Sequence, residues 1–254
     1  MKTHNLEEVE FFYTKFVYTK NVLTPRFDTE CLVREAISNI KKEEINTLID
    51  IWTWSGIIPV SIWKNTKLQK IIALDKSKKA LEIAKINAEK NKVLIDFYES
   101  DLLKIKNMSS QIPVVSSWAC RRIKSIDFKN YNSYELIVRQ AHYDTSENLQ
   151  SWNLLITANL PYVKNEDWIN MSSDTRFEPK MALFWWEKTG FEIYERFFRQ
   201  VLNFRKIYKN KIFLICEIWF DQKDVAQKFL EKLGFNFSFF PDLRWIERFI
   251  KIKL

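Results

Sequence analysis

The chain has 254 residues and a mass of 30.7 kDa, with 46% hydrophobic, 28% charged and 15% aromatic residues. That composition excludes an intrinsically disordered chain and suffices for one large domain or two small ones. Net charge is +8 with a pI near 9.2. Lys and Arg are spread along the chain, so a Lys-rich surface from an AT-rich genome competes evenly with attraction to RNA, the ribosome or an acidic partner.

No run of about 18 apolar residues occurs, so no membrane span is expected. MKTHNLEEVEFF at the N-terminus lacks the basic-then-apolar order of a secretory signal. Cys31, Cys120 and Cys216 are far apart and odd in number, and His4 and His142 are the only histidines. A disulfide framework and a metal site are therefore not expected, and a reducing cytosol fits. Glycine is out of line. A typical chain of this length carries about 18, whereas this one has 3 Gly beside 10 Trp.

In chain order, residues 9–23 mix aromatic, β-branched and polar residues and read as a hairpin. Residues 29–42 have helical spacing, with Asp28 as N-cap. A repeating pattern follows: strand 45–51, short helix 57–63, strand 70–75, amphipathic helix 77–91, strand 93–98. Apolar strands alternating with helices indicate a parallel sheet covered on both faces. Residues 104–151 are polar and break the pattern, which reads as an insertion. Strands at 153–159 and 211–218, helices at 188–206 and 223–233, and a closing antiparallel pair at 235–240 and 246–253 complete the chain. The fold class is α/β, with 1–44 as a hairpin and helix and 45–254 as the main domain.

Four constellations carry chemistry. Asp50-Ile-Trp-Thr-Trp-Ser-Gly56 follows the first strand of the alternating pattern, where the turn of a doubly wound sheet meets its ligand. Such a turn bends sharply and normally needs glycines. Asp75 ends the next strand, where a carboxylate can accept both hydroxyls of a ribose; an ordinary strand-end Asp is the commoner case. Asp101 and Leu102 follow the third strand, a weak signal alone. Asn159-Leu160-Pro161-Tyr162 closes the fourth strand and is the strong one. The Asn159 side-chain oxygen and the Leu160 carbonyl can accept the two N–H bonds of a planar amide. Pro161 stiffens the turn and Tyr162 can pack on the planar group.

Asn159–Tyr162 resembles the (Asn/Asp)-Pro-Pro-Tyr motif of enzymes that methylate amide or amino nitrogens, with Leu160 in place of the first Pro. Residues 22–30 (VLTPRFDTE) resemble the L-I-P-R-P-x-T-E segment of the release-factor glutamine methyltransferases. Residues 174–184 (DTRFEPKMALF) resemble that family's R-x-E-P-x-x-A-L segment. Glu217-Ile218-Trp219 and residues 242–248 (DLRWIER) resemble its E-x-G and D-x-x-G-x-x-R segments. The resemblance runs over roughly residues 9–254, apart from the insertion. It implies a Rossmann-like seven-strand S-adenosylmethionine-dependent methyltransferase fold and a cytoplasmic, monomeric enzyme acting on a release factor. Binding of the methyl donor S-adenosylmethionine is thereby expected from Asp50, Trp52, Thr53, Trp54, Ser55, Gly56, Asp75, Asp101, Leu102 and Asn159. Asn159, Leu160, Pro161 and Tyr162 are expected at the reacting amide, with Glu178 and Pro179 also touching substrate. An RNA or DNA adenine-N6 methyltransferase is the alternative, supported by net charge and the Asn-Leu-Pro-Tyr wording.

Two departures matter. Only about twenty residues precede Thr24, so the helical substrate-binding domain usual in the family is expected to be largely absent. Trp52, Trp54, Trp185, Trp186, Trp219 and Trp245 stand where the family carries Gly. UGA codons read as glycine by the source and as tryptophan in this sequence would account for both the match and the glycine deficit. The family pattern does not address Trp63, Trp118, Trp152 and Trp168. True indoles at 52 and 54 would instead make an inactive look-alike.

Overall fold

The computed structural model describes residues 6–19, 26–105, 133–134, 137, 152–161 and 189–254. A two-stranded antiparallel hairpin opens the chain: β1 (Glu7–Phe11) and β2 (Thr14–Tyr18), joined through Phe12 and Tyr13 at positive φ. Next come α1 (Thr29–Lys42), β3 (Ile45–Ile51), α2 (Ile57–Lys64), β4 (Lys70–Asp75), α3 (Lys78–Lys90), β5 (Asp96–Asp101) and the two-residue β6 (Lys104–Ile105). β7 (Asn153–Ala158), α4 (Glu192–Ile207), β8 (Ile212–Glu217), α5 (Lys223–Lys232), β9 (Phe237–Pro241) and β10 (Glu247–Lys253) complete the described elements.

The main sheet has the order β6-β5-β4-β3-β7-β8-β10-β9. β5, β4, β3, β7 and β8 run parallel, and β10 joins β8 antiparallel. This is the expected Rossmann-like mixed sheet, with the short β6 added antiparallel to β5 at one edge. Successive side chains of a strand point to opposite faces, and the core divides accordingly. Leu154, Ile156 and Ala158 of β7 pack with α4 and α5, while Leu155 packs on the other face with α1 and α2.

Three expectations are corrected. The third strand of the alternating pattern starts at Asp96 rather than Val93, because 96–101 alternates inward and outward at the sheet's margin and is not a continuous apolar run. Asp28 makes no side-chain cap on α1. Its carboxylate is drawn instead to Arg244, at 3.0 Å, and to Arg248. Ser77 does cap α3, accepting from the Ala80 N–H. α4 begins at Glu192, four residues after the expected start. Nearly all of the 104–151 segment lies outside the described residues.

One buried side chain ties three parts together. Asn87 of α3 accepts from the Val17 N–H at 2.7 Å and donates to the carbonyls of Val17 and Ser55, both at 2.8 Å. It thereby clamps the hairpin to α3 and α3 to the loop after β3. Asn87→Ala would leave buried peptide groups without partners, each costing about 1–3 kcal/mol. The expected loss is on the order of 3 kcal/mol in urea unfolding, with Asn87→Asp also destabilising because a carboxylate cannot donate to the two carbonyls.

Candidate active site

The strand order reverses between β3 and β7. From β3 the chain steps outward through β4 and β5, then returns to the far side of β3 as β7. The carboxyl ends of β3 and β7 flank a topological switch point, where open α/β sheets bind ligands. The loop Asp50–Gly56 leaves β3 there, and Asn159-Leu160-Pro161 leaves β7. Asp75 ends β4 and Asp101 ends β5 along the same edge.

Backbone bonds hold the loop tightly. The N–H groups of Trp52 and Thr53 donate to the Leu74 carbonyl at 2.7 and 3.1 Å. The Trp54 N–H donates to Asp75 Oδ2 at 2.9 Å, and Asp75 Oδ1 accepts from Ser77 N–H at 2.8 Å. Each oxygen of Asp75, the residue expected at a ribose, thus accepts one main-chain N–H. Asp50 is fully buried and accepts from the Thr157 hydroxyl at 2.6 Å. Asp101 pairs with Arg196 at 2.7 Å. Leu102 is buried at φ +60° beside them.

Asn159 sits at the centre of a buried polar cluster. Its Nδ2 donates to Glu217 Oε2 at 3.1 Å and to Thr29 Oγ1 at 3.4 Å, and Thr29 Oγ1 donates to the same Glu217 oxygen at 2.9 Å. Arg248 approaches Glu217 Oε1 at 3.5 Å. A carboxylate can only accept, so it turns the NH2 end of the Asn159 amide inward and leaves Oδ1 as an acceptor for another group. No donor among the described residues reaches that Oδ1. The Leu160 N–H donates to Tyr194 Oη at 3.1 Å, and Tyr194 in turn donates to the Glu217 carbonyl. Pro161 follows on the same turn.

Thus four quoted motifs converge: Thr29 from the first, Asn159, Glu217, and Arg248 from the last. Tyr194 escaped sequence reasoning. Its signal was a phenol on the apolar face of α4, whose hydroxyl needs a partner when buried. Tyr162, Glu178, Pro179, Trp185 and Trp186 lie outside the described residues.

The residues present at the switch point do not fit a nucleoside-bearing methyl donor. Trp52 and Trp54 are 4% and 6% exposed, their rings 6.1 Å apart, and they share one apolar cluster with Leu102, Leu103 and Leu160. Trp54 Nε1 donates to the Asn159 carbonyl at 3.0 Å. The two indoles fill the space between the β3 and β7 turns. They do so from left-handed backbone, at φ +63° and +53°, a conformation that costs an L-residue roughly 1–2 kcal/mol. Ser55 Oγ, in the same loop, is buried without a hydrogen-bond partner. A cavity of about 480 Å³ lined by Ile45 and Lys64–Lys67 lies at the amino ends of the strands, away from this site.

The family described as Methyltransferase small domain matches residues 28–115. A protein of Lactococcus lactis named release factor glutamine methyltransferase is 28% identical over 250 residues, 96% of this chain and 74% of that protein. One of Enterococcus faecalis with the same name is 27% identical over 226 residues, 89% of this chain and 65% of that protein. One of Flavobacterium psychrophilum is 36% identical over 115 residues, 44% of this chain and 40% of the other. The chain resembles the release factor glutamine methyltransferases. The matched region spans less than two thirds of the Enterococcus and Flavobacterium relatives. Among solved structures, the hMettl16 catalytic domain in complex with MAT2A 3′UTR hairpin 6 superposes with a TM-score of 0.59 at 12% identity, covering 95% of this chain and 76% of that one. That likeness concerns the fold. Among the described residues, no helix is long and apolar enough to cross a membrane, and no cluster of metal-ligating side chains occurs.

Burial pushes the Asp50 carboxyl from 3.8 up to about 7 against the pull of the Thr157 hydroxyl. Burial does the same to Asp75, also to about 7, against its backbone donors and with the Asp50 charge adding to the rise. A carboxyl whose folded pKa is raised holds a proton that the unfolded chain has released. Its contribution to stability is therefore full below about pH 4 and is lost as pH rises through 7. Asp50→Asn cannot ionise, so its stability relative to the parent chain should rise by up to about 4 kcal/mol between pH 4 and 8. Urea unfolding of both chains across that range checks it; a constant difference would contradict the raised pKa.

Proposed function

We propose that the chain is an S-adenosylmethionine-dependent methyltransferase acting on the side-chain amide nitrogen (N5) of a protein glutamine. The substrate class is the Gly-Gly-Gln glutamine of a peptide chain release factor, met in the cytoplasm. One observation carries the reading: Asn159 follows β7 at the switch point with its NH2 committed to Glu217 and Thr29 and its Oδ1 left to accept.

The chemistry explains why that polarity matters. The lone pair of an amide nitrogen is delocalised into its carbonyl, so the nitrogen is a poor nucleophile. Its two N–H bonds are donors, and Asn159 Oδ1 with the Leu160 carbonyl offers two acceptors on one rigid turn. Holding both N–H bonds fixes the plane of the amide and presents one face of the nitrogen for attack. Positioning of this kind lowers a barrier without a strong general base. Pro161 restricts the turn, and Tyr162 is assigned the packing of the planar group. Glu178 and Pro179 are assigned substrate contact by the family resemblance. The expected donor-binding residues are Asp50, Trp52, Thr53, Trp54, Ser55, Gly56, Asp75, Asp101, Leu102 and Asn159. The indoles at 52 and 54 stand where these residues would hold the donor.

The names of the curated relatives support a release factor rather than a nucleic acid as acceptor. Transfer of labelled methyl groups by protein from the native source, offering release factor and RNA in parallel, separates the two. The expected result is transfer to the release factor glutamine alone. Asn159→Ala should lower that transfer by about 10²-fold or more. Normal turnover by the variant would remove the assignment.

A further inference from the structure

The backbone asks for glycine at positions where the chain carries tryptophan. All three glycines, Gly56, Gly190 and Gly234, take left-handed φ values of +70° to +77°. Six tryptophans are described, and three of them, Trp52, Trp54 and Trp245, take φ values of +63°, +53° and +64°; Phe12, Tyr13, Glu44, Lys92 and Leu102 are the other non-glycine residues described at positive φ. Bulky side chains are outliers in this region, and glycine is the residue that enters it without a Cβ clash.

Each position is held there by its surroundings. In the loop after β3, residues 52, 54 and 56 are left-handed at alternate positions. The Leu74 carbonyl holds the first, Asp75 the second, and close approach of α3 the third, where a Cβ on Gly56 would meet Ala84 Cβ at 3.1 Å. At 245, Asp242 closes the turn: its carbonyl accepts from Trp245 N–H at 3.1 Å, and its Oδ1 accepts from the N–H groups of Arg244 and Ile246. The Trp245 side chain is 86% exposed, so burial returns little for the strain. The other described tryptophans, Trp63, Trp152 and Trp219, make no such demand, because none has positive φ.

We propose that residues 52, 54 and 245 are glycine in the protein as its own ribosomes make it, encoded by UGA codons read as glycine. With glycine at 52 and 54, both indoles leave the switch point, the Asn159 carbonyl is released from Trp54 Nε1, and the main chain of the loop lines an open crevice. The crevice takes an adenosine-bearing sulfonium or thioether; this choice of ligand, though not the recoding, rests on the proposed function above.

The test has two arms. Peptide mass spectrometry of the chain purified from its native source, with sequencing of its gene, should find glycine from UGA at 52, 54 and 245. UGG codons or intact indoles at these positions overturn the proposal. Separately, the chain as written and the Trp52→Gly/Trp54→Gly variant are made from synthetic genes and titrated calorimetrically with S-adenosylhomocysteine. The glycine variant should bind and the indole chain should not; equal binding by both overturns the claim that the indoles close the crevice. Native glycine together with no binding by a folded glycine variant would leave the recoding standing and remove the methyltransferase reading. Trp245→Gly supplies a readout independent of ligand: its thermal midpoint should rise, and a fall would count against glycine at 245.

Discussion

The site depends on one buried carboxylate. Glu217 ends β8 with no solvent exposure, and three segments distant in the chain bring donors to it: Thr29 at the start of α1, Asn159 after β7 and Arg248 in β10. A buried charge is tolerated only when paired and hydrogen-bonded. The same requirement fixes which end of the Asn159 amide faces inward. Acceptor polarity at the active edge is therefore a consequence of core electrostatics. The network also explains why Asp28 leaves its capping role: it lies one residue before Thr29, close enough to pair with Arg248 and Arg244.

The second constraint is the course of the main chain between β3 and α2. Three left-handed residues at alternate positions let this loop fold back over β4, where Leu74 and Asp75 collect its N–H groups. Asn87 holds the loop from the side of α3 and binds the N-terminal hairpin with its remaining groups. The proposed methyl-donor crevice would be lined by the main chain of this loop, and any side chain at 52 or 54 would enter it. The indoles do so, which makes the identity of these residues the question on which ligand binding turns.

Much of the fold was legible because the pattern and the packing agree. The runs 45–51 and 70–75 became β3 and β4 as read, and 29–42 became α1, since central parallel strands and amphipathic helices announce themselves by apolar content and period. β5 was misplaced by three residues because a marginal strand buries only alternate positions, and the apolar Val93-Leu94-Ile95 preceding it drew the boundary forward. Within the candidate site, Asn159 and the 50–56 loop were visible through turn chemistry. Tyr194 was not, because a phenol inside a helix carries no local sign of the strand whose carbonyl it will meet.

The sequence by itself determined the alternation of strands and helices, the motif residues and their order along the chain. Hydrophobic period and turn composition are local properties, readable without knowing what lies opposite. Tertiary structure alone decided that Thr29, Asn159, Glu217 and Arg248 share one cluster, that Asp75 serves backbone N–H groups, and that the tryptophans at 52, 54 and 245 stand on left-handed backbone. These outcomes depend on which strands become neighbours and on where a neighbour's carbonyl or carboxylate falls, and neither is written in the spacing of residues along the chain.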